Sequence, residues 1–257
     1  MVDMQKIKLE FNKYVSNFDK NDGKIKLKIE HILRVTELSK KIAVSLNLDE
    51  ENIELAEIIG LFHDIGRFEQ IKKYNTFSDR ESENHAKLGV KVLFEQNLIE
   101  NFNIDKKYYS IIKTAILNHN KDAIDNNLTD IETLHSKIIR DADKLDILYN
   151  ISNYDFKDVF WYNDFNCKKI NELLIKDLEN RKHVNYNIVK NNADLIPTFF
   201  AFMYDLNFKF SIKYLKEKNY LQIFAEKVNE NFESRELKEQ MQKIMSWYNN
   251  FLENVEL

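Results

Sequence analysis

The sequence predicts an all-α protein, and three observations carry that prediction. Its 257 residues include only four glycines and one proline, too few for the turns of an all-β chain. Apolar residues recur every three or four positions along most of the chain, the period of a helix with one buried side. Only residues 24–29 alternate as a strand would. That stretch is short and runs into a helical stripe, so it reads as the approach to a helix.

Taken in order, Met4, Ile7, Phe11, Tyr14, Val15 and Phe18 mark a first amphipathic helix, closed by a turn at Asn21-Asp22-Gly23. A second carries Val35, Leu38 and Ile42, with His31 one turn ahead of Val35. Asp49 is placed to cap a third, and Asn52 is too weak a partner for a capping box. This helix runs through Leu55, Ile59 and His63, and Gly66 is expected to break it. A polar loop over residues 70–83 suits either a lid or a plain connection. The fourth helix bears His85, Leu88, Gly89 and Val92, and the fifth Tyr108, Ile112, Ala115 and His119. After the polar run 118–130, a sixth presents Ile138, Ile139, Ala142, Leu145 and Leu148, and also bears Asp141, Asp143 and Asp146.

Beyond residue 150 the helical period continues through Leu173, Leu174 and Leu178, and through Met241, Ile244, Met245, Tyr248 and Leu252. Pro197 is expected to break it before the aromatic-rich stretch 199–208, which reads as core or as a lid. Asp205 and Asn207 inside that stretch need partners and are candidates for a pocket border. No linker or repeat is visible. The expected organisation is an N-terminal helix (1–24) packed on a body, a core (25–150) and a C-terminal helical extension (151–257), continuous with the core.

Charged residues make up 31% of the chain with a net charge of only -4, which argues against a protein held on duplex nucleic acid by phosphate contacts. The single cysteine, Cys167, rules out an intrachain disulfide framework and a thiolate-rich zinc site, and reads as an inert small side chain. No membrane-length apolar run and no signal peptide are apparent, so a cytoplasmic protein is expected. Self-association into a homo-oligomer is left open.

The functional reading starts at His63-Asp64, an imidazole and a carboxylate side by side where an apolar helical pattern stops. Four helices each bring a histidine to the inward face or its end: His31, His63, His85 and His119. Facing helices that project His and carboxylate groups inward build metal sites; a metal-free polar network is the bland alternative. His135, more than two turns before Asp143, reads as a boundary residue, and His183 as an exposed one.

His31, then His63-Asp64, then Asp143 within Arg140-Asp141-Ala142-Asp143-Lys144 resembles the HD-domain metal-dependent phosphohydrolase superfamily, over about residues 24–150. The resemblance implies an HD-domain helical bundle. It implies that His31, His63, Asp64 and Asp143 bind one divalent ion, with Asp141 the alternative last ligand. His85 and His119 resemble the two-metal subset, in which Asp64 bridges to a second ion. Such a donor set suits Mn, Fe, Co, Ni, Zn or Mg, and the implied chemistry is attack of metal-bound hydroxide on a phosphate ester or anhydride. The expected partner is a small phosphorylated substrate, nucleotides first.

Arg67 is expected to grip phosphate as a catalytic and binding residue, although some two-metal relatives carry a lysine there and arginine is a poor proton donor. That departure, and Asn120 after His119, weaken a cyclic-dinucleotide role. Lys28, Lys144, Lys72 with Lys73, and Arg80 are further phosphate candidates. Two competing readings are an HD-type di-iron oxygenase and a regulatory module that binds a nucleotide without cleaving it.

Overall fold

The computed structural model describes residues 3–159, 166–182 and 184–255. No strand occurs among them, and they divide into two compact units, Met1–Asp143 and Lys144–Leu257. Short polar side chains start the helices: Asp3, Asp22, Asp49 and Asn84 each accept backbone N–H groups at an N-terminus. Corners are turned with asparagine. Among the described residues, six of the seven non-glycine residues at positive φ are Asn (47, 75, 97, 103, 127 and 219), and no glycine is. Asparagine tolerates the left-handed region better than other side-chain-bearing residues, which is how so glycine-poor a chain folds.

The first unit contains α1 (Met4–Val15), α2 (Gly23–Ser45), α3 (Glu50–Phe62), α4 (Gly66–Tyr74), α5 (His85–Val90), α6 (Tyr109–His119) and the first half of α7 (Asp130–Asn153). Residues 24–29 are already helical, because Asp22 nucleates α2 ahead of them. Helices α2 and α3 form an intimate pair. A Cβ on Gly60 would lie 2.9 Å from Thr36 Cα and 2.9 Å from Ser39 Oγ, so only glycine permits the approach. That contact sets His63, one turn along α3, opposite His31.

Gly66 does not end α3 in a left-handed cap. The helix closes at Phe62, and Gly66 opens α4. A Cβ there would fall 2.3 Å from His85 O and 2.4 Å from Gly89 N, so its role is to let α4 meet the backbone of α5. The polar loop is also shorter than expected: α4 continues to Tyr74, leaving residues 75–84 as the connection. A π-helical turn, Lys91–Glu95, extends α5.

Phe68 anchors α1, with Phe11, Tyr14 and Phe18 ring centroids at 6.2, 6.1 and 5.4 Å. Glu57 on α3 is buried between Lys8 Nζ at 2.9 Å and Lys40 Nζ at 3.0 Å, which neutralise it. On α7, His135 is fully buried rather than at a boundary, its Nε2 3.0 Å from Asn52 Oδ1. Arg140, also buried, donates to the carbonyls of Asn118 and Lys121 and so fixes the chain after α6.

The second unit holds the rest of α7, α8 (Phe156–Val159), α9 (Glu172–Glu179), α10 (Asn192–Ala201), α11 (Lys209–Lys218), α12 (Tyr220–Asn231) and α13 (Arg235–Asn254). Pro197 lies inside α10 instead of breaking the pattern. Of the aromatic stretch that follows, Phe200 and Met203 are core. Buried Asp194 accepts the N–H groups of Asn171 (2.8 Å) and Lys190 (3.0 Å), tying two connections to α10. Asp205 is bound to Lys144 Nζ at 2.8 Å, and Asn207 donates to Asp205 O. Cys167 is partly buried. His183 falls outside the described residues. No helix among the described residues is long and apolar enough to cross a membrane.

Candidate metal centre

All five His and Asp residues His31, His63, Asp64, His85 and His119 are buried, and they converge in the first unit. His31, on α2, and His63, capping α3, bring their Nε2 atoms within 3.3 Å. Asp64 Oδ2 lies 3.4 Å from the first and 3.6 Å from the second. Asp143 Oδ1, from α7, is 3.2 Å from His31 Nε2 and 3.7 Å from His63 Nε2. The other oxygen of Asp64 faces a second pair. His85 Nε2, from α5, and His119 Nε2, from α6, are 2.9 Å apart and stand 3.3 and 3.7 Å from Asp64 Oδ1. Two donor groups thus share one carboxylate, an arrangement consistent with a binuclear metal site.

The hydrogen bonds on the far sides of the rings fix their tautomers. A carbonyl oxygen can only accept, so the nitrogen facing it carries the proton. His63 Nδ1–H donates to Gly60 O at 2.7 Å, and His119 Nδ1–H to Ile116 O at 2.6 Å. His85 Nδ1–H donates to Asp79, 2.7 Å to Oδ2. A neutral ring protonated on Nδ1 offers a lone pair at Nε2. The Nε2 atoms of His85 and His119 lie 2.9 Å apart, with Arg67 Nη2 3.4 Å from the first and Asp64 Oδ1, which accepts no hydrogen bond, beside them. A cation among these members would satisfy the unbonded Asp64 oxygen and the two imidazoles at once. The donor atoms of the two groups stand 2.9–3.7 Å apart, close enough for each group to hold an ion. The outward N–H bonds are those that metal-binding histidines make.

The charge states suit the same purpose. Burial pushes His63 below the usual imidazole range. Burial, then the Arg67 guanidinium, lower His85 to about 4. Burial opposes the charge on Asp64, but the Lys28 ammonium beside it holds the carboxyl well below the usual carboxylate range. Burial opposes the charge on Asp143 too, but His31 and His63 together hold its carboxyl well below the usual carboxylate range. Neutral imidazoles and ionised carboxylates are the forms that bind divalent ions.

The phosphate candidates are placed unevenly. Lys28 Nζ is 2.7 Å from Asp64 Oδ2 and 5.2 Å from the Phe77 ring centroid. Arg67 lies at the second group, its Nε 3.6 Å from Asp64 Oδ1. Its Nη1 is engaged by Gln70 Oε1 (2.7 Å), Phe77 O (2.6 Å) and Asp79 Oδ1 (3.0 Å). Lys72, with Glu69 at 4.0 Å, Lys73 and Arg80 are exposed. Lys144 belongs to the second unit, where Asp205 holds it. Asp141, Asp143 and Asp146 all lie outside the two clusters His31, His63, Asp64 and Asp64, His85, His119, and Asp143 joins the first only through its contacts with His31 and His63. Sequence reasoning assigned nothing to Gln70 or Asp79, which link Arg67 to His85. Only a polar residue six positions before a histidine marked Asp79, and a loop gives no period from which to read its direction.

Residues 29–148 match the family model described as the HD domain. Comparison with curated proteins and with solved structures found no match.

Proposed function

We propose that this chain, in which residues 29–148 form an HD domain, is a metal-dependent phosphohydrolase acting on a small phosphorylated molecule, nucleotides first. One observation carries the reading: the two oxygens of Asp64 face two separate imidazole pairs. His31, His63, Asp64 and Asp143 would hold one divalent ion, and Asp64, His85 and His119 a second. When bound, such ions supply the Lewis acidity that polarises a phosphoryl oxygen and lowers the pKa of water toward neutrality.

The chain's own residues supply position and charge. His63 and His119 are locked by carbonyls of their own helices, so their Nε2 atoms need no reorganisation to bind. Lys28, close to Asp64 and only slightly exposed, is positioned to balance negative charge arriving with a phosphate. Arg67 presents its Nε and Nη2 toward the second group while Nη1 is spent on the 75–84 connection. That favours orientation of the site over a role as proton donor, in keeping with arginine's permanent charge.

The test is phosphate release from a nucleotide panel by purified protein loaded with Mn or Ni, alongside metal analysis and an Asp64→Ala control. Release that requires both the metal and Asp64 is expected. An oxidised di-iron absorption band with no phosphate release, or nucleotide binding without turnover by the fully metallated protein, would overturn it.

A further inference from the structure

We propose that Asp79 is the positioning residue of the second donor group, acting through His85 and governing that group's affinity for an ion independently of the first. This rests on the binuclear reading above. The carboxylate receives four donors from three parts of the unit: His85 Nδ1 (2.7 Å to Oδ2, 2.9 Å to Oδ1), Gln70 Nε2 (2.9 Å), Arg67 Nη1 (3.0 Å) and Asn120 Nδ2 (3.4 Å). So many donors use up the lone pairs of both oxygens. Asp79 is thereby committed to its neighbours, and it joins neither donor group.

His85 needs such a partner for a reason set by its place in the chain. His63 and His119 sit at helix C-termini and use the carbonyl three residues back in their own helices. His85 is the first residue of α5, and the residue three before it, Ser82, lies in the connection. No helical carbonyl is there to accept its Nδ1–H. Asp79 fills that place with a charged acceptor, which strengthens the ring's other nitrogen as a ligand more than a carbonyl does. It has a second effect. Arg67 Nη2 is 3.4 Å from His85 Nε2, within reach of the lone pair an ion would need. Asp79, with Phe77 O, draws the same guanidinium the other way through Nη1.

The experiment is titration of the full chain with Mn(II), following stoichiometry by calorimetry and the spin-coupled pair by electron paramagnetic resonance. Wild type should take up two ions per chain. Asp79→Ala should weaken the second by about 10- to 100-fold, the usual effect of removing such a partner, and lose the coupled signal at concentrations where wild type shows it. The first ion should bind as before. Asp79→Asn, which keeps an acceptor oxygen without the charge, should fall between them, and it serves if the alanine variant does not fold. Two ions bound to both variants with wild-type affinity, or equal weakening of both ions, overturns the role of Asp79 while leaving the binuclear reading intact. A wild-type protein that never binds a second Mn(II) overturns both.

Discussion

The two donor groups share Asp64 yet are built differently. The His31, His63 and Asp143 group hangs on α2, on the C-cap of α3, which is locked to α2 at Gly60, and on α7. The His85 and His119 group needs a connection as well, because His85 takes its orientation from Asp79. A group made by helix packing is as stable as the packing, whereas one completed by a loop can be lost by local opening while the rest of the unit stays folded. The first group should therefore be the resilient one and the second the adjustable one.

The largest effect should come from the residue that belongs to both. Asp64→Ala is expected to bring bound Mn(II) from two per chain to none and turnover to background, with the helical circular dichroism retained. A protein that keeps either ion would break the comparison at its root. Next, His31→Ala and His119→Ala should each remove one ion, and metal analysis should find the remaining ion bound more weakly in the first variant than in the second. Gly66→Ala should cost about 2–3 kcal/mol in chemical denaturation, since the added methyl meets backbone on α5 and the helices must separate. Its damage should fall on the second group, leaving one ion in place.

The smallest effect concerns a histidine in neither group. His135 is buried and held to about 4 by that burial. Its folded pKa lies below the unfolded value, so its contribution is complete above about pH 6.5 and is lost as pH falls toward about 4. Between pH 7 and 4.5, metal-free wild type should lose on the order of 2 kcal/mol more stability than His135→Leu. Equal losses in urea titrations would show that acid sensitivity arises elsewhere.

The same contrast explains what could be read before the structure. The 3.6-residue period places His31, His63 and His119 on inward faces, and all three are buried. The Asp49 cap was legible for an equally local reason, and Asn52 N donates to it at 2.9 Å. Asp79 was not, because its direction is decided by partners on α4, α5 and the segment after α6. Gly66 was misread because a glycine after an apolar run usually supplies a left-handed cap, whereas here the missing Cβ is what counts. His135 failed differently: helical rotation separates it from Asp143, but rotation says nothing of a neighbour such as Asn52 on another helix.

The pairing of Glu57 with Lys8 and Lys40 bears on how a shorter version of this protein should be cut. Residues 29–148 would be the natural fragment to express from the family match alone, and that fragment discards α1. It would strip Lys8 from a carboxylate with almost no access to solvent and uncover the Phe68 ring that three aromatic side chains now shield. The family match thus begins inside a compact unit that also contains α1, and a fragment starting at or before Asp3 is expected to be the more stable one.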